Sequence, residues 1–213
     1  MTHCAMILAA GRGERLRPHT DSCPKPLLEI HGKPLIFYHL ESLARAGISK
    51  VVVNLSWLGE QIEAAVGDGS QFGLKVIYSR EAEALEVAGG IVQALELLEE
   101  RFLVVNADIY TDYAFEKLRS VSSKAHLVLV DNPDHHPRGD FALNHGLLSN
   151  ASNHRLTFSG IAAYHRSFFE CHAPGRRTLA PLLRDAADKG LVSAELFAGK
   201  WVDVGTVERW QSI

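Results

Sequence analysis

Short apolar runs alternate with amphipathic segments along the first half of the chain, and this alternation constrains the fold more than any other feature. The first run, residues 5–9, is continuously apolar and is followed closely by Gly11. Such a run is typical of a central strand covered on both faces. Residues 50–54, 75–79 and 102–106 form similar strand-like runs. The order predicts an α/β fold with a doubly wound, predominantly parallel sheet.

Helix-like segments separate these strands, and the second half of the chain is less regular. The predicted helices cover residues 34–46, 58–66, 91–98 and 179–189, and the first two are followed directly by Gly47 and Gly67. Later strands are expected at residues 125–130, 156–164 and 201–204, with loops at residues 132–139 and 149–153. No long linker or internal repeat divides the chain. We therefore expect a single domain over residues 1–213, with the second half adding a lid or wall to the first.

Charge and cysteine content exclude several classes of protein. The formal net charge is −3, whereas binding to a nucleic-acid backbone normally requires a basic excess. The three cysteines show no CxxC or Cys/His spacing, so neither a disulfide framework nor structural zinc is expected. The N-terminus lacks a basic segment, and its apolar run stops before Gly11. We expect a cytoplasmic protein that binds neither nucleic acid nor membrane and needs no obligate protein partner.

A glycine-containing loop with the sequence LAAGRGERLRP, residues 8–18, follows the first predicted strand. Glycines at the carboxyl end of such a strand let backbone N–H groups approach phosphate oxygens. A dinucleotide-binding loop is disfavoured because Leu16 occupies the third glycine position, and a P-loop because no glycine is followed by Lys-Ser or Lys-Thr. A plain strand-to-helix turn remains open for the glycine pair alone. However, Pro24 and Pro26 hold Lys25 on stiff backbone, which indicates a deliberately placed charge.

The loop and the lysine together resemble a family signature. LAAGxGxRLxP followed by PKPLL, here residues 8–18 and 24–28, is similar to the sugar-nucleotide pyrophosphorylases, which are nucleoside-triphosphate:sugar-1-phosphate transferases. The resemblance implies the Rossmann-like nucleotide-diphospho-sugar transferase fold, with a small β extension on the sugar side. It also implies a nucleotide-binding half at roughly residues 1–110 and a sugar-binding half at residues 111–213.

Two aspartates stand at the ends of predicted strands. Asp108 follows the strand at residues 102–106, and Asp203 lies in the sequence WVDVGT. Each aspartate alone could cap a helix or form a turn. Two carboxylates that meet at one triphosphate would instead suit Mg²⁺, whose remaining ligands are phosphate oxygens and water. The family resemblance implies this second role, with Asp108 and Asp203 as the metal ligands.

The resemblance also implies a set of binding residues. Arg15 and Lys25 would be catalytic, with Arg15 on the β- and γ-phosphates and Lys25 on the α-phosphate. The nucleotide would further contact Leu8, Ala10, Gly11, Gly13, Glu14, Ala82 and Gly89. The sugar phosphate would contact Asn106, Asp140, Ser159 and Gly160. Residues 83–91 resemble the family's nucleobase segment, although Val87 stands where threonine is usual, which places a hydroxyl contact there in doubt.

Three further motifs, GDF at residues 139–141, TFSGI at 157–161 and WVDVGT at 201–206, narrow the resemblance. They resemble most closely the members that transfer UMP from UTP to N-acetylmuramate α-1-phosphate in cell-wall recycling. The lactyl carboxylate of that sugar calls for a nearby cation, for which the sequence offers Arg138, Arg155, His136 and His165. Alternatives are GTP with mannose 1-phosphate, dTTP or UTP with glucose 1-phosphate, and a non-catalytic regulator that binds sugar nucleotides.

Overall fold

The fold is built on one large β-sheet, described by a computed structural model that covers residues 1–151 and 154–213. In chain order the described strands are β1 (Cys4–Leu8), β2 (Glu29–Ile30), β3 (Lys33–Pro34), β4 (Lys50–Leu55), β5 (Lys75–Arg80), β6 (Arg101–Asn106), β7 (Ile109–Thr111), β8 (Ala125–Val130), β9 (Ala142–Asn144), β10 (Leu147–Ser149), β11 (Thr157–His165), β12 (Val192–Leu196) and β13 (Trp201–Asp203). The described α-helices are α1 (His19–Ser22), α2 (Leu35–Arg45), α3 (Gly59–Val66), α4 (Glu86–Ala94), α5 (Ala180–Asp188) and α6 (Val207–Gln211).

Nine of these strands form the main sheet, in the order β5-β4-β1-β6-β11-β8-β12-β10-β9. The first four are mutually parallel. Beyond them β11 runs antiparallel to β6 and β8, while β12 is parallel to β8 and β10 is antiparallel to both its neighbours. Only β11 and β10 therefore oppose the common direction of this sheet. The predicted α/β class and predominantly parallel sheet are confirmed, and the mixed strands form the β extension.

The central strand β1 shows why the apolar run at its position predicted a doubly covered sheet. Cys4 and Met6 belong to one apolar core, and Ala5 and Ile7 belong to the other on the opposite face. All four side chains are fully buried. Because successive side chains of a strand point to opposite faces, a strand covered on both sides needs apolar residues without alternation.

Some predicted boundaries differ from the structure. The helix expected at residues 91–98 begins at Glu86, so Gly89 and Gly90 lie inside α4 instead of opening it. Six short strands were not predicted, because none of them contains a continuous apolar run like that of β1; they are β2, β3, β7, β9, β10 and β12. The loop expected at 149–153 starts at the last residue of β10, and residues 152 and 153 lie outside the described part of the chain.

The register of the parallel strands brings polar residues to one edge of the sheet. Leu8 at the end of β1 pairs with Asn54 of β4 on one side and with Asn106 of β6 on the other. Asn54 in turn pairs with Ser79 of β5. Ligand sites of open α/β sheets lie at this carboxyl edge. Across the described residues, no helix combines the length and apolar character needed to cross a membrane.

Candidate active site

A cleft of about 270 Å³ opens at the carboxyl edge of β1, β4 and β6. Seven of the residues predicted from the sequence line it, namely Leu8, Ala10, Gly11, Gly13, Lys25, Asn106 and Asp108. Eight further residues complete the lining: Ala9, Pro26, Asn54, Glu81, Ala84, Glu86, Val87 and Ala107. The structure thus brings the glycine loop, the lysine between its prolines and one predicted metal ligand into a single site.

Gly13 has two reasons to be glycine. Its φ of 68° lies in the left-handed region, where side chains are disfavoured. A β-carbon there would also stand 3.1 Å from Cγ2 of Thr20 and 3.3 Å from Cβ of Lys25. By contrast, a β-carbon on Gly11 would meet no atom within 4 Å. Gly13 therefore lets the loop pack directly against Lys25, and Gly11 leaves open space at the cleft.

The two arginines of the loop have different surroundings. Arg12 donates a 2.7 Å hydrogen bond to the carbonyl of Thr20, forms a 2.7 Å ion pair with Asp21, and lies 3.8 Å above the ring of Trp57. Arg15 is exposed and makes no hydrogen bond or ion pair to any of the described residues. Arg12 therefore stabilises the loop, whereas Arg15 is available to an anionic ligand.

Lys25 and Asp108 form an ion pair at the floor of the cleft. The lysine Nζ lies 2.5 Å from Oδ2 of Asp108, and the two side chains are 11% and 35% exposed. Lys25 begins a short 3₁₀ turn after Pro24, so its backbone is held by the proline as the sequence indicated. A cation and a carboxylate thus stand together where the glycine loop meets the end of β6.

The second predicted metal ligand lies beside the first. In the small sheet of β7 and β13, Asp203 pairs with Ile109, and the amide of Val204 donates a 2.7 Å hydrogen bond to the Asp108 carbonyl. The Asp203 carboxylate accepts from Arg209 at 2.9 Å and lies 3.1 Å from Nε2 of His135. Each of the two aspartates therefore has a basic partner within the protein.

A second cleft adjoins the first on the side of β11 and β13. Its lining residues are Arg15, Asn106, Asp108, Ile109, His135, His136, Thr157, Phe158, Ser159, Trp201 and Asp203. Asn106 and Asp108 belong to both clefts. Two pockets that meet at one carboxylate can hold two substrates whose reacting groups come together at that point.

The carboxylates fit a hard divalent cation that takes most of its ligands from substrate. Over residues 1–151 and 154–213, no group of three or more His, Cys, Asp or Glu side chains is arranged to hold a metal ion. Two neighbouring carboxylates leave coordination positions free for phosphate oxygens and water, which is the usual arrangement for Mg²⁺.

Burial lowers the pKa of nearby His39 to about 4, although the charge of Asp108 opposes this shift.

The predicted sugar-side residues occupy the wall of the second cleft or lie just behind it. Ser159 lines the wall, and its hydroxyl donates to the carbonyl of Val128 at 2.7 Å. Gly160 has a φ of 78°, and a β-carbon there would stand 2.5 Å from Nδ2 of Asn106. Asp140 accepts a 2.9 Å hydrogen bond from the amide of Phe158. Gly160 and Asp140 thus shape the wall from behind.

Four predicted nucleotide contacts are absent from the lining of the first cleft. One of them, Arg15, lines the second cleft instead. Glu14 and Ala82 are exposed. Glu14 follows Gly13 and Ala82 follows Glu81, and both preceding residues line the cleft. Gly89 is buried in α4, where its amide donates to the carbonyl of Arg177 at 3.1 Å. A β-carbon on Gly89 would stand 2.5 Å from the carbonyl oxygen of Gly175. Packing against the segment around residue 175 therefore explains this glycine.

The prediction missed Asn54 and Glu81, which line the first cleft. Both stand at or just after the carboxyl end of a predicted strand, the same signal that singled out Asp108. Reading every strand end for polar residues would have found them.

The C-terminal helix α6 packs against the segments that carry Arg15 and Asp203. Trp210 of α6 donates a 2.8 Å hydrogen bond from Nε1 to the carbonyl of Glu29. It packs on a small apolar core formed by Leu16, Leu28, Ile30, Leu35 and Val204. Since Leu16 follows Arg15 and Val204 follows Asp203, this core ties the loop arginine to the second aspartate.

Comparisons with known proteins agree with this geometry. Residues 4–141 match the family model described as Nucleotidyl transferase. The chain is 48% identical to an N-acetylmuramate alpha-1-phosphate uridylyltransferase of Neisseria meningitidis serogroup B, over 96% of this chain and 94% of that protein. It is 39% identical to a mannose-1-phosphate guanylyltransferase catalytic subunit beta of Drosophila pseudoobscura pseudoobscura, over 54% of this chain and 32% of that protein.

Solved structures share the fold at lower identity. HddC from Yersinia pseudotuberculosis, complexed with GMP-PN, superposes with a TM-score of 0.81 at 24% identity, covering 100% of this chain and 97% of that one. The inositol-1-phosphate CTP transferase from T. maritima gives a TM-score of 0.80 at 20% identity, covering 98% and 91%. The resemblance predicted from residues 8–18 and 24–28 is confirmed, and the chain belongs to the nucleotidyl transferase family of enzymes.

Proposed function

We propose that the protein transfers UMP from UTP to N-acetylmuramate α-1-phosphate, giving UDP-N-acetylmuramate and pyrophosphate, in cell-wall recycling. The observation that carries the reaction type is the meeting of two clefts at Asp108, because transfer requires two phosphate-bearing substrates to touch. The substrate pair is supported by the 48% identity to the uridylyltransferase over nearly the full length of both chains.

The chemistry needs little more than positioning and cations. An oxygen of the sugar 1-phosphate would attack the α-phosphorus of UTP, forming one P–O bond while the bond to the leaving pyrophosphate breaks. A phosphomonoester has a second pKa of about 6 and is already largely dianionic at neutral pH. The attack therefore requires no general base, and the main barrier is repulsion between two polyanions.

We assign the phosphate contacts to the first cleft and to Arg15, which lines the adjoining second cleft. Backbone N–H groups around Gly11 and Gly13 would bind the triphosphate, and Arg15 would bind its β- and γ-phosphates. Lys25 would neutralise the α-phosphate. Arg15 and Lys25 suit these roles because Arg15 makes no ion pair among the described residues and Lys25 lines the first cleft.

We propose Mg²⁺ as the cofactor, held by Asp108 and Asp203. When bound, the ion would neutralise charge on the phosphates of both substrates. Lys25 and Arg209, which pair with these carboxylates, would hold them in place and limit their mutual repulsion in the metal-free protein.

The second cleft would hold the sugar, with the division between nucleotide and sugar halves near residue 110. Of the four basic residues considered for the lactyl carboxylate, His136 is the one that lines the described cleft. His165 lies at the far end of β11, where its Nε2 is 2.9 Å from Glu100, and Arg138 is exposed. We therefore assign the lactyl carboxylate of the sugar to His136. The Nε2 of this histidine lies 3.1 Å from Oδ1 of Asp140.

The proposed location is the cytoplasm, where UTP is available. Cys4, Cys23 and Cys171 are all free thiols, which fits a reducing compartment.

A pyrophosphate-release assay tests the proposal. The four common nucleoside triphosphates would each be offered with the 1-phosphates of N-acetylmuramate, N-acetylglucosamine, mannose and glucose, with and without Mg²⁺. We expect turnover to be highest for UTP with N-acetylmuramate α-1-phosphate. A preference for GTP with mannose 1-phosphate, or for a glucose 1-phosphate pair, would replace the substrate assignment. Nucleotide binding without Mg²⁺-dependent turnover on any pair would identify a non-catalytic regulator instead.

A further inference from the structure

Two buried polar side chains lie directly beneath the first cleft. Asn54, the second-last residue of β4, is 4% exposed, and Glu81, immediately after β5, is 6% exposed. Both line the cleft, yet neither contacts Lys25, Asp108 or Asp203 through a hydrogen bond in the described part of the chain. Buried polar groups are costly unless they are hydrogen-bonded, so their partners indicate why they are there.

Those partners join the two walls of the cleft. The amide of Ala9, in the glycine-loop wall, donates to Oδ1 of Asn54 at 2.7 Å. The Nδ2 of Asn54 donates to Oε1 of Glu81 at 2.7 Å. The other carboxylate oxygen of Glu81 accepts from the amide of Leu85 at 3.0 Å, next to the opposite wall at residues 84–87. Three consecutive hydrogen bonds therefore span the cleft floor.

The far end of this chain is anchored in the sugar half. The carbonyl of Leu85 accepts from the amide of Arg177 at 2.9 Å, and the carbonyl of Arg177 accepts from Gly89 at 3.1 Å. Leu85 and Gly89 are four residues apart, the spacing at which a regular helix would join them directly. Between them Glu86 has a φ of 62°, unusual for a residue with a side chain. Contacts with Arg177 thus hold the wall at residues 84–87 in a conformation that Glu86 by itself disfavours.

Gly90 of α4 packs directly against the hydrogen-bonded pair of Asn54 and Glu81. A β-carbon on Gly90 would stand 2.6 Å from Oε1 of Glu81 and 2.9 Å from Nδ2 of Asn54. Asparagine also suits its position chemically, since it must accept from one backbone amide and donate to one carboxylate. Neither an aliphatic residue nor aspartate can do both.

We infer that Asn54 is a positioning residue which, through Ala9 and Glu81, sets the spacing between the two walls of the nucleotide cleft and so the affinity for the nucleoside triphosphate. The inference rests on the proposed function only in taking this cleft to be the one that binds the nucleotide. Asn54 acts through the walls and takes no part in the transfer itself.

A pattern of donor and acceptor exchanges tests the inference. Asn54→Asp keeps the acceptor for Ala9 but sets a carboxylate against Glu81. In Glu81→Gln alone, the new side-chain NH2 group must face another donor. That donor is either Nδ2 of Asn54 or the backbone amide of Leu85. The double variant restores the match, because the new amide donates to the new carboxylate and its oxygen accepts from Leu85. Asn54→Ala removes both bonds and serves as the simple deletion.

The readouts are the Kd of UTP without sugar phosphate, measured by calorimetry, and the separate KM values of UTP and of the sugar 1-phosphate. We expect Asn54→Ala and Asn54→Asp to raise the Kd and KM of UTP about tenfold or more, given the usual strength of such bonds. The KM of the sugar phosphate should change by less than about twofold. In the double variant, the UTP values should return to within about threefold of the parent.

Asn150→Ala is the matched control. Its amide is also hydrogen-bonded at both ends, but to α5 and away from the cleft. The Nδ2 donates to the carbonyl of Arg184 and to Asp188, and the Oδ1 accepts from the Arg184 side chain. It should lower the melting temperature without changing the affinity for UTP.

The inference is overturned if Asn54→Ala binds UTP like the parent, or if Asn54→Asp combined with Glu81→Gln binds no better than Asn54→Asp. A single variant that fails to fold leaves the double variant decisive, since recovery of both folding and affinity requires the matched pair. Failure of the proposed function appears elsewhere, as a parent protein that binds UTP but performs no uridylyl transfer.

Discussion

The amide of Val204 donates a 2.7 Å hydrogen bond to the carbonyl of Asp108. This bond extends the pairing of β13 with β7 by one residue and fixes Asp203 beside Asp108. Two carboxylates far apart in the chain thereby acquire neighbouring backbone positions set by a β ladder, which is stiffer than a loop contact. The proposed Mg²⁺ would be held by these two carboxylates, and a metal site needs ligands fixed in this way.

Replacing Lys25 should affect turnover far more than stability of the fold. Lys25→Ala removes the cation at the cleft floor and leaves Asp108 without its 2.5 Å partner. We expect kcat to fall by about a hundredfold or more, as when one preorganised electrostatic group is lost from an active site. Single-turnover kinetics would measure it. Lys33→Ala, which breaks a remote ion pair with Glu41, is the control and should retain full activity.

Neutralising either aspartate should weaken the response to Mg²⁺. Asp108→Asn and Asp203→Asn should each lower kcat by about a hundredfold or more. Titrating Mg²⁺ against both turnover and melting temperature in the presence of UTP measures the effect. Asp131→Asn, at an exposed site, is the control. A parent-like Mg²⁺ dependence in both active-site variants would refute the metal assignment.

Gly13 and Gly190 offer a comparison of two glycines with similar backbones. Their φ angles are 68° and 65°, so alanine should cost each about 1–2 kcal/mol of unfolding free energy. A β-carbon on Gly13 presses on Thr20 and Lys25, whereas one on Gly190 meets nothing within 4 Å. We expect only Gly13→Ala to reduce turnover as well, as paired denaturation and activity assays would establish. Equal activities would mean that the glycine loop does not position Lys25.

The two loop arginines should separate stability from binding. Arg15→Ala should raise the KM of UTP by about tenfold with little change in melting temperature, since Arg15 makes no ion pair among the described residues. Arg12→Ala should instead lower the melting temperature by roughly 2–4 °C, because it loses the bond to Thr20 and the contact with Trp57. Thermal melts and initial-rate kinetics on both variants distinguish these effects. The opposite pattern would exchange the two roles.

His39 should make the protein less stable in mild acid. Burial lowers its folded pKa to about 4 from the ordinary 6.5, so below pH 6.5 the unfolded chain binds a proton that the folded protein does not. The contribution of His39 to stability is therefore full above pH 6.5 and is lost as pH falls towards 4, by roughly 3 kcal/mol in total. Urea unfolding of the parent and of His39→Gln between pH 4 and 7 would measure the difference. The variant should show a shallower loss, and identical slopes would contradict the prediction.

Much of this site could be read from local sequence. The apolar run of β1 predicted a doubly covered strand, and the residues after it predicted a phosphate-binding loop, since both patterns depend on neighbours within a few positions. Asp108 was singled out because it follows a buried strand, whereas the role of Asn106 came from the family resemblance. Pro24 and Pro26 predicted a stiff backbone at Lys25, and the structure places this lysine in a short turn beside the loop.

The tertiary structure alone decided which residues meet. That Gly89 serves the packing of Gly175 and Arg177, and that Asn54 joins Ala9 to Glu81, depends on the order and register of strands distant in sequence. Periodicity and turn chemistry act over a few residues and therefore determine which segments become strands, helices and loops. Long-range contacts depend on how those segments stack to bury both faces of the sheet, a property of the whole chain that no short stretch carries.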